Sequence, residues 1–195
     1  LKRHLDGARL FNAIVAGGYS AAEVGKCFDT ISICFSKGLG CPMGSILIGS
    51  RDDIAHARRA RKLFGGALRQ TGIVAASAIY ALENHVDRLT EDHANAQQLA
   101  LGLASIDGIR IEPERVKTNL VFFEIEPGCG LAIQLAGALK EQGVLTGPMG
   151  GQRLRAVTHM DVTASDISSA VNSVRQCMEV GFADRPIVGS GPYSR

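Results

Sequence analysis

Lys37 ends an apolar run in ICFSKGLGCPMGS, residues 33 to 45, and is followed by two closely spaced glycines, a proline and a third glycine. An amine at such a place can condense with an aldehyde once burial or nearby cations lower its pKa. Asp6, in HLDGARLFNA at residues 4 to 13, is a carboxylate that could share a cleft with it. A lone lysine beside a strand is ordinarily solvated, so the residue types alone leave both readings open.

The elements that would position the two residues are legible. Phe28 to Phe35 alternates, with Ile31, Ile33 and Phe35 on one face and Ser32 and Cys34 on the other, and this predicts a strand. The stretch from His4 to Asp6 reads as the end of another strand. About 30 residues separate the two, enough for a βαβ crossover that brings both carboxyl ends to one sheet edge. Ligands of open α/β sheets bind at that edge. A lysine and a carboxylate there suit pyridoxal phosphate chemistry, the amine as covalent anchor and the carboxylate keeping the pyridine nitrogen protonated. Spacing makes this pair plausible without choosing it.

Between these strands, residues 10 to 24 read as helix interrupted at Gly17-Gly18, and a strand over residues 45 to 48 follows the turn. Ser50 with Asp53 predicts the start of a helix reaching Leu63, and residues 67 to 84 predict another. From about Val86 the pattern becomes helix (91–104), strand (120–125), helix (131–142), strand (153–158) and helix (165–180), the last capped by Thr163 and Asp166. The expected fold class is α/β. Residues 1–86 are read as part of a larger α/β layer, 87–183 as a small α+β domain, and 184–195 as a flexible tail.

Composition bounds the alternatives. A net charge of +2 with mixed signs gives no push toward nucleic acid, and no apolar run approaches the roughly 20 residues that span a bilayer. The cluster Arg58, Arg59, Arg61 and Lys62 has no interleaved aromatics and follows Asp52 and Asp53, which argues against a nucleic-acid patch. Five cysteines without a CxxC pair read as buried free thiols of a reducing cytoplasm. The five histidines lack metal-binding spacing, so no metal site is expected, and His159 reads as structural. The G-x-G-x-x-x-G run after Lys37 contains Pro42 and precedes a strand, which rules out a dinucleotide fingerprint.

HLDGARLFNA, SKGLGCPMGS (36–45), RKLFGGALRQTG (61–72) and RAVTHMDV (155–162) together resemble, in the same order, the motifs of the L-threonine aldolases. These are fold-type-I pyridoxal-phosphate enzymes of the β-eliminating lyase group. The resemblance implies Lys37 as the cofactor-anchoring lysine and Asp6 as the partner of the pyridine nitrogen. It implies Arg9 near cofactor and substrate carboxylate, and Arg155 as the carboxylate clamp. Lys62 and Arg69 match basic residues at the active site near a subunit boundary. Each has a bland competitor: an ion pair for Arg9, a solvated helix face for Lys62, a polar outer strand face for Arg155.

The family carries a long segment before HLDGAR, so the resemblance covers the end of its large domain and its small domain. Its implied reaction is reversible cleavage of L-threonine or L-allo-threonine, a β-hydroxy-α-amino acid, to glycine and acetaldehyde. Its implied assembly is a homotetramer or dimer of dimers, and its place the cytoplasm. The rival readings are another lyase on the same scaffold (phenylserine aldolase or β-eliminating lyase) and a non-catalytic piece that keeps the fold. Expressed alone, these 195 residues are expected to associate and to lack activity.

Overall fold

The computed structural model describes residues 1–184; apart from Asp184, the stretch read as a flexible tail lies outside them. The chain divides into two compact units, one over Leu1–Thr90 and a second from Glu91 onward.

The first unit is a three-stranded sheet in the order β1-β2-β3. Strand β1 (His4–Asp6) runs parallel to β2 (Thr30–Cys34), with Asp6 opposite Ser32, and β3 (Ser45–Ile48) returns antiparallel, with Cys34 opposite Ser45. Two short helices, α1 (Leu10–Gly17) and α2 (Ala21–Gly25), form the crossover. They exist because Gly18, at φ 68°, ends the first and a Ser20–Glu23 capping box starts the second. Leu10, Ile31 and Ile33 form one small core with Val24 and Phe28 at its margin. This is the alternation read from the sequence: apolar β2 positions inward, Ser32 and Cys34 half-buried.

Helix α3 (Arg51–Leu63) starts where Ser50 Oγ accepts the Asp53 amide at 3.2 Å, with Asp52 and Asp53 in its first turn and Arg61 and Lys62 in its last. That charge order matches the helix dipole. Helix α4 (Thr71–Asn84) begins four residues later than its composition predicts. Gly65, at φ 79°, turns the chain, and a bond from Leu68 N to the Gly66 carbonyl keeps residues 66–70 out of the helix. Ala78 and Ala81 of α4 pack with Phe35, Leu39, Cys41 and Leu89 in a second small core.

The second unit is a four-stranded sheet, β4 (Ile109–Arg110), β5 (Leu120–Ile125), β7 (Arg153–Val157) and β6 (Gly147–Pro148) in spatial order, with every pair antiparallel. Strands β4 and β6, two residues each, are too short to leave a period in the sequence and went unpredicted. Helices α5 (Leu89–Ala104), α6 (Ala132–Glu141) and α7 (Ala164–Val180) supply the rest of its core. Val121, Phe123, Ile125 and Leu154 of the sheet are buried in one cluster with Leu99, Leu103, Leu135, Leu139 and Val174. Thr163 and Asp166 form the expected capping box at the start of α7, with reciprocal bonds of 2.9 and 3.2 Å.

The expectation of uniformly buried thiols is corrected. Cys41 and Cys177 are buried, Cys34 and Cys129 half-buried, and Cys27 exposed, because Cys27 sits in the loop after α2. No group of metal ligands forms among the described residues.

Candidate active site

The parallel pairing of β1 and β2 sends both chains out at the same sheet edge, Asp6 as the last residue of β1 and Lys37 three residues beyond β2. Gly7 N donates to the Ser32 carbonyl at 2.8 Å, so the chain leaving β1 stays on the neighbouring strand for one residue more. Asp6 is exposed, and its Oδ1 accepts only the Ala8 amide, at 3.2 Å. Asp6, Gly7 and Arg9 line a concavity of about 450 Å³ whose other walls are apolar, among them Leu5, Leu10 and Phe28. Lys37 is not on its wall.

Lys37 opens a tight turn. Gly40 N donates to the Lys37 carbonyl at 2.8 Å, and Gly40 takes φ 74°, a conformation that favours glycine. Phe35 N bonds the Gly44 carbonyl and Cys41 N the Phe35 carbonyl, closing the loop that the SKGLGCPMG stretch predicts. Gly38 is required for contact rather than for φ. A Cβ there would lie 2.9 Å from Asn12 Oδ1 and 3.1 Å from Leu89. The lysine side chain itself is exposed and has no hydrogen bond or ion pair among the described residues.

Lys62 lies in the last turn of α3 and Arg69 in the turn before α4; both are exposed. Between them stand exposed Leu63, Phe64 and Leu68. Arg155 belongs to the second unit, at the centre of β7, opposite Phe122 on β5 and Gly147 on β6. It occupies the sheet face away from the core, as the alternation exposed–buried–exposed of Arg153, Leu154 and Arg155 requires. Arg153, on the same face, places its guanidinium 4.9 Å from the Phe122 ring centroid. The end of β7 is held by buried Thr158, whose Oγ1 donates to the Asp92 carbonyl at 2.6 Å and whose carbonyl accepts from Asn119 Nδ2 at 2.9 Å. His159 follows, its Nδ1 accepting the Asp161 amide at 3.2 Å.

The structure therefore puts Asp6, Arg9 and Lys37 on one unit and Arg155 on the other. Three supports of the lysine loop escaped sequence reading: Asn12, Cys41 and His85. Burial pushes the Cys41 thiol pKa up, keeping it a neutral donor to the Ser77 carbonyl at 3.4 Å. Cys41 and Asn12 had a signal, their places in SKGLGCPMGS and HLDGARLFNA; His85 had none, its partner lying 46 positions away.

This architecture is that of the fold-type-I pyridoxal-phosphate enzymes. A solved structure described as a putative L-allo-threonine aldolase from Listeria monocytogenes superposes with a TM-score of 0.74 at 25% identity, over 92% of this chain and 52% of that one. Ornithine δ-aminotransferase of Plasmodium falciparum shares the fold, with a TM-score of 0.62 at 15% identity, over 95% and 48%. A family model described as beta-eliminating lyase matches residues 1–126, and the chain belongs to that family. Among its curated relatives, low-specificity L-threonine aldolase 1 of Arabidopsis thaliana is 40% identical over 179 residues, 91% of this chain and 50% of that protein. The low specificity L-threonine aldolase of Escherichia coli K12 is 43% identical over 168 residues, 86% and 48%. The chain spans about half the length of the curated relatives it matches.

Proposed function

We propose that this chain serves a pyridoxal 5′-phosphate-dependent aldehyde-lyase that reversibly cleaves L-threonine or L-allo-threonine to glycine and acetaldehyde. The observation that carries the reading is the shared edge of β1 and β2, where a carboxylate ends one strand and a lysine with no partner among the described residues follows the other. The chemistry of two residues supports the cofactor at its ring end. Lys37 offers an amine without a competing ion pair among the described residues, and Asp6 has an oxygen beyond the one that takes the Ala8 amide.

When bound, pyridoxal 5′-phosphate supplies the sink for the electron pair released as the Cα–Cβ bond breaks. Lys37 holds the cofactor's aldehyde end, and Asp6 keeps a proton on the ring nitrogen. Arg155 receives the carboxylate of the β-hydroxy-α-amino acid in a charge-assisted pair, and Arg9 serves cofactor and carboxylate. Cα–Cβ cleavage leaves acetaldehyde and glycine, and the reaction balances because the one proton lost from the β-hydroxyl is matched by the one gained at Cα. Lys62 and Arg69 are assigned to the cofactor near a subunit boundary of a homotetramer or dimer of dimers. The exposed Leu63, Phe64 and Leu68 between them support that placement. The proposed compartment is the cytoplasm; no helix among the described residues is long and apolar enough to cross a membrane.

The test uses a polypeptide carrying these residues at the full length of the relatives. Borohydride reduction and peptide mapping should place the pyridoxyl mass on Lys37, and label on Lys62 instead would refute the assignment. Asp6→Asn should keep the cofactor and lose at least about tenfold in acetaldehyde release, since a charge-assisted hydrogen bond contributes roughly 1.5–3 kcal/mol. Near-normal turnover would remove Asp6 from the mechanism.

A further inference from the structure

The turn that carries Lys37 is held from α4, and one holder is a residue the proposed chemistry leaves unused. His85, immediately after α4, presents Nδ1 to the Leu39 carbonyl oxygen at 2.7 Å. A carbonyl only accepts, so Nδ1 carries the hydrogen. The imidazole is braced edge-on by Tyr80, with ring centroids 5.4 Å apart and planes at 86°. Leu39 is buried two residues beyond Lys37, inside the turn that Gly40 closes onto the Lys37 carbonyl. Asn12 and Leu89 crowd the same turn at Gly38, and Cys41 ties its far end to Ser77. The backbone around Lys37 is thereby fixed while its side chain is not.

We infer that His85 is a positioning residue for Lys37, its Nδ1–H holding the Leu39 carbonyl and so setting the direction in which the lysine leaves the turn. The His85–Leu39 bond is part-buried, so a carbonyl that loses its donor there is left under-satisfied, and the turn must shift to relieve it. What that direction serves rests on Lys37 being the cofactor anchor, whereas the hold itself does not.

The experiment compares wild type, His85→Asn and His85→Phe in the polypeptide at the full length of its relatives. Asparagine carries Nδ2 on the same carbon that carries Nδ1 in histidine, so H85N keeps a donor; H85F keeps the ring and its contact with Tyr80 but has none. Hydrogen exchange at the Gly40 amide reads the turn, and titration with pyridoxal 5′-phosphate reads the anchor. One lost hydrogen bond predicts that H85F exchanges Gly40 about fivefold to tenfold faster and weakens cofactor binding by a similar factor. H85N should stay within about twofold of wild type in both, on the same arithmetic. The β5 amides of Val121 and Phe123 should not change in either. H85F behaving as wild type, or H85N failing as badly as H85F, overturns the inference. Should H85F loosen the whole first unit, H85N decides alone, and faster Gly40 exchange in it overturns the hold. Pyridoxyl label found away from Lys37 in wild type would overturn the anchor reading, while Gly40 exchange would still judge the hold.

Discussion

The two units bury their apolar residues very differently. From Glu91 onward one continuous cluster joins three helices to one face of a four-stranded sheet, with Leu103, Val121, Leu135, Leu139 and Leu154 fully enclosed. Before it, burial is split between two small clusters, and much of the apolar surface is uncovered. Phe64 is 90% exposed, Leu63 and Ile73 each 75%, and all four residues of β3 are exposed. Yet this open unit carries Asp6, Arg9 and Lys37, whereas the closed one contributes Arg155. The unit that holds the proposed cofactor residues is therefore the one whose own residues finish least of its burial. Apolar patches of that kind mark surfaces that another chain segment or subunit covers, and an edge strand such as β3 offers unpaired backbone groups to one.

The contrast is broken most forcefully in the closed core. Leu154→Ala on β7 should destabilise the second unit by about 2–5 kcal/mol, because its neighbours on β5 and the helices cannot collapse into the space. Denaturant melts of the full-length protein, followed through amides of β5, should show the loss; less than about 1 kcal/mol would mean that this core is not close-packed. Next in size is the proposed carboxylate clamp on the same strand. Arg155→Ala should raise the KM for threonine about 10-fold to 150-fold, the worth of a charge-assisted pair of roughly 1.5–3 kcal/mol, with cofactor binding unchanged. An unaltered KM would move the carboxylate clamp elsewhere. Arg153→Met, two residues away, should change KM little, since that guanidinium faces the Phe122 ring.

On the open unit the same logic runs the other way. Phe64→Ser removes an aromatic side chain that touches little of its own unit, so stability should move by no more than about 0.5 kcal/mol. Association should respond instead. Light scattering or sedimentation of the variant should show smaller species than wild type at equal concentration. Unchanged association with a large loss of stability would mean that Phe64 belongs to a core and not to a contact surface.

How much of this was readable beforehand follows from the range of the interactions. Local signals were legible: alternation placed β5 at Leu120–Ile125, Ser50 placed the start of α3, and Thr163 with Asp166 placed the start of α7. The parallel β1–β2 edge followed from the length of the crossover and the direction of its strands. What stayed hidden was set by distance along the chain. His85 and Leu39 meet across 46 positions, and Asn12 reaches the turn at Gly38 from α1. Exposure was hidden too, because the apolar run Ile46–Ile48 marks β3 as a strand but does not tell whether anything covers it.

The smallest expected effect is electrostatic, and it belongs to the closed unit. Burial pushes the His93 pKa down from its ordinary 6.5, against a weaker upward pull from the Asp92 charge. The folded state thus prefers the neutral imidazole. Below about pH 6.5 the unfolded chain binds the proton more readily than the folded one, so stability falls as pH drops from there through the folded-state pKa, then levels off. The capping carboxylates act in a separate and lower window. Asp166 is held below its ordinary 3.8 by Thr163 and Glu23 below 4.5 by Ser20, so their contributions persist above those values and are lost only in stronger acid. His93→Gln should therefore flatten the stability profile just below pH 6.5 and leave the acid limb unchanged. Chemical denaturation at half-unit pH steps, read from second-unit amides, checks this. A slope in that window that survives the substitution would assign the pH dependence to another group.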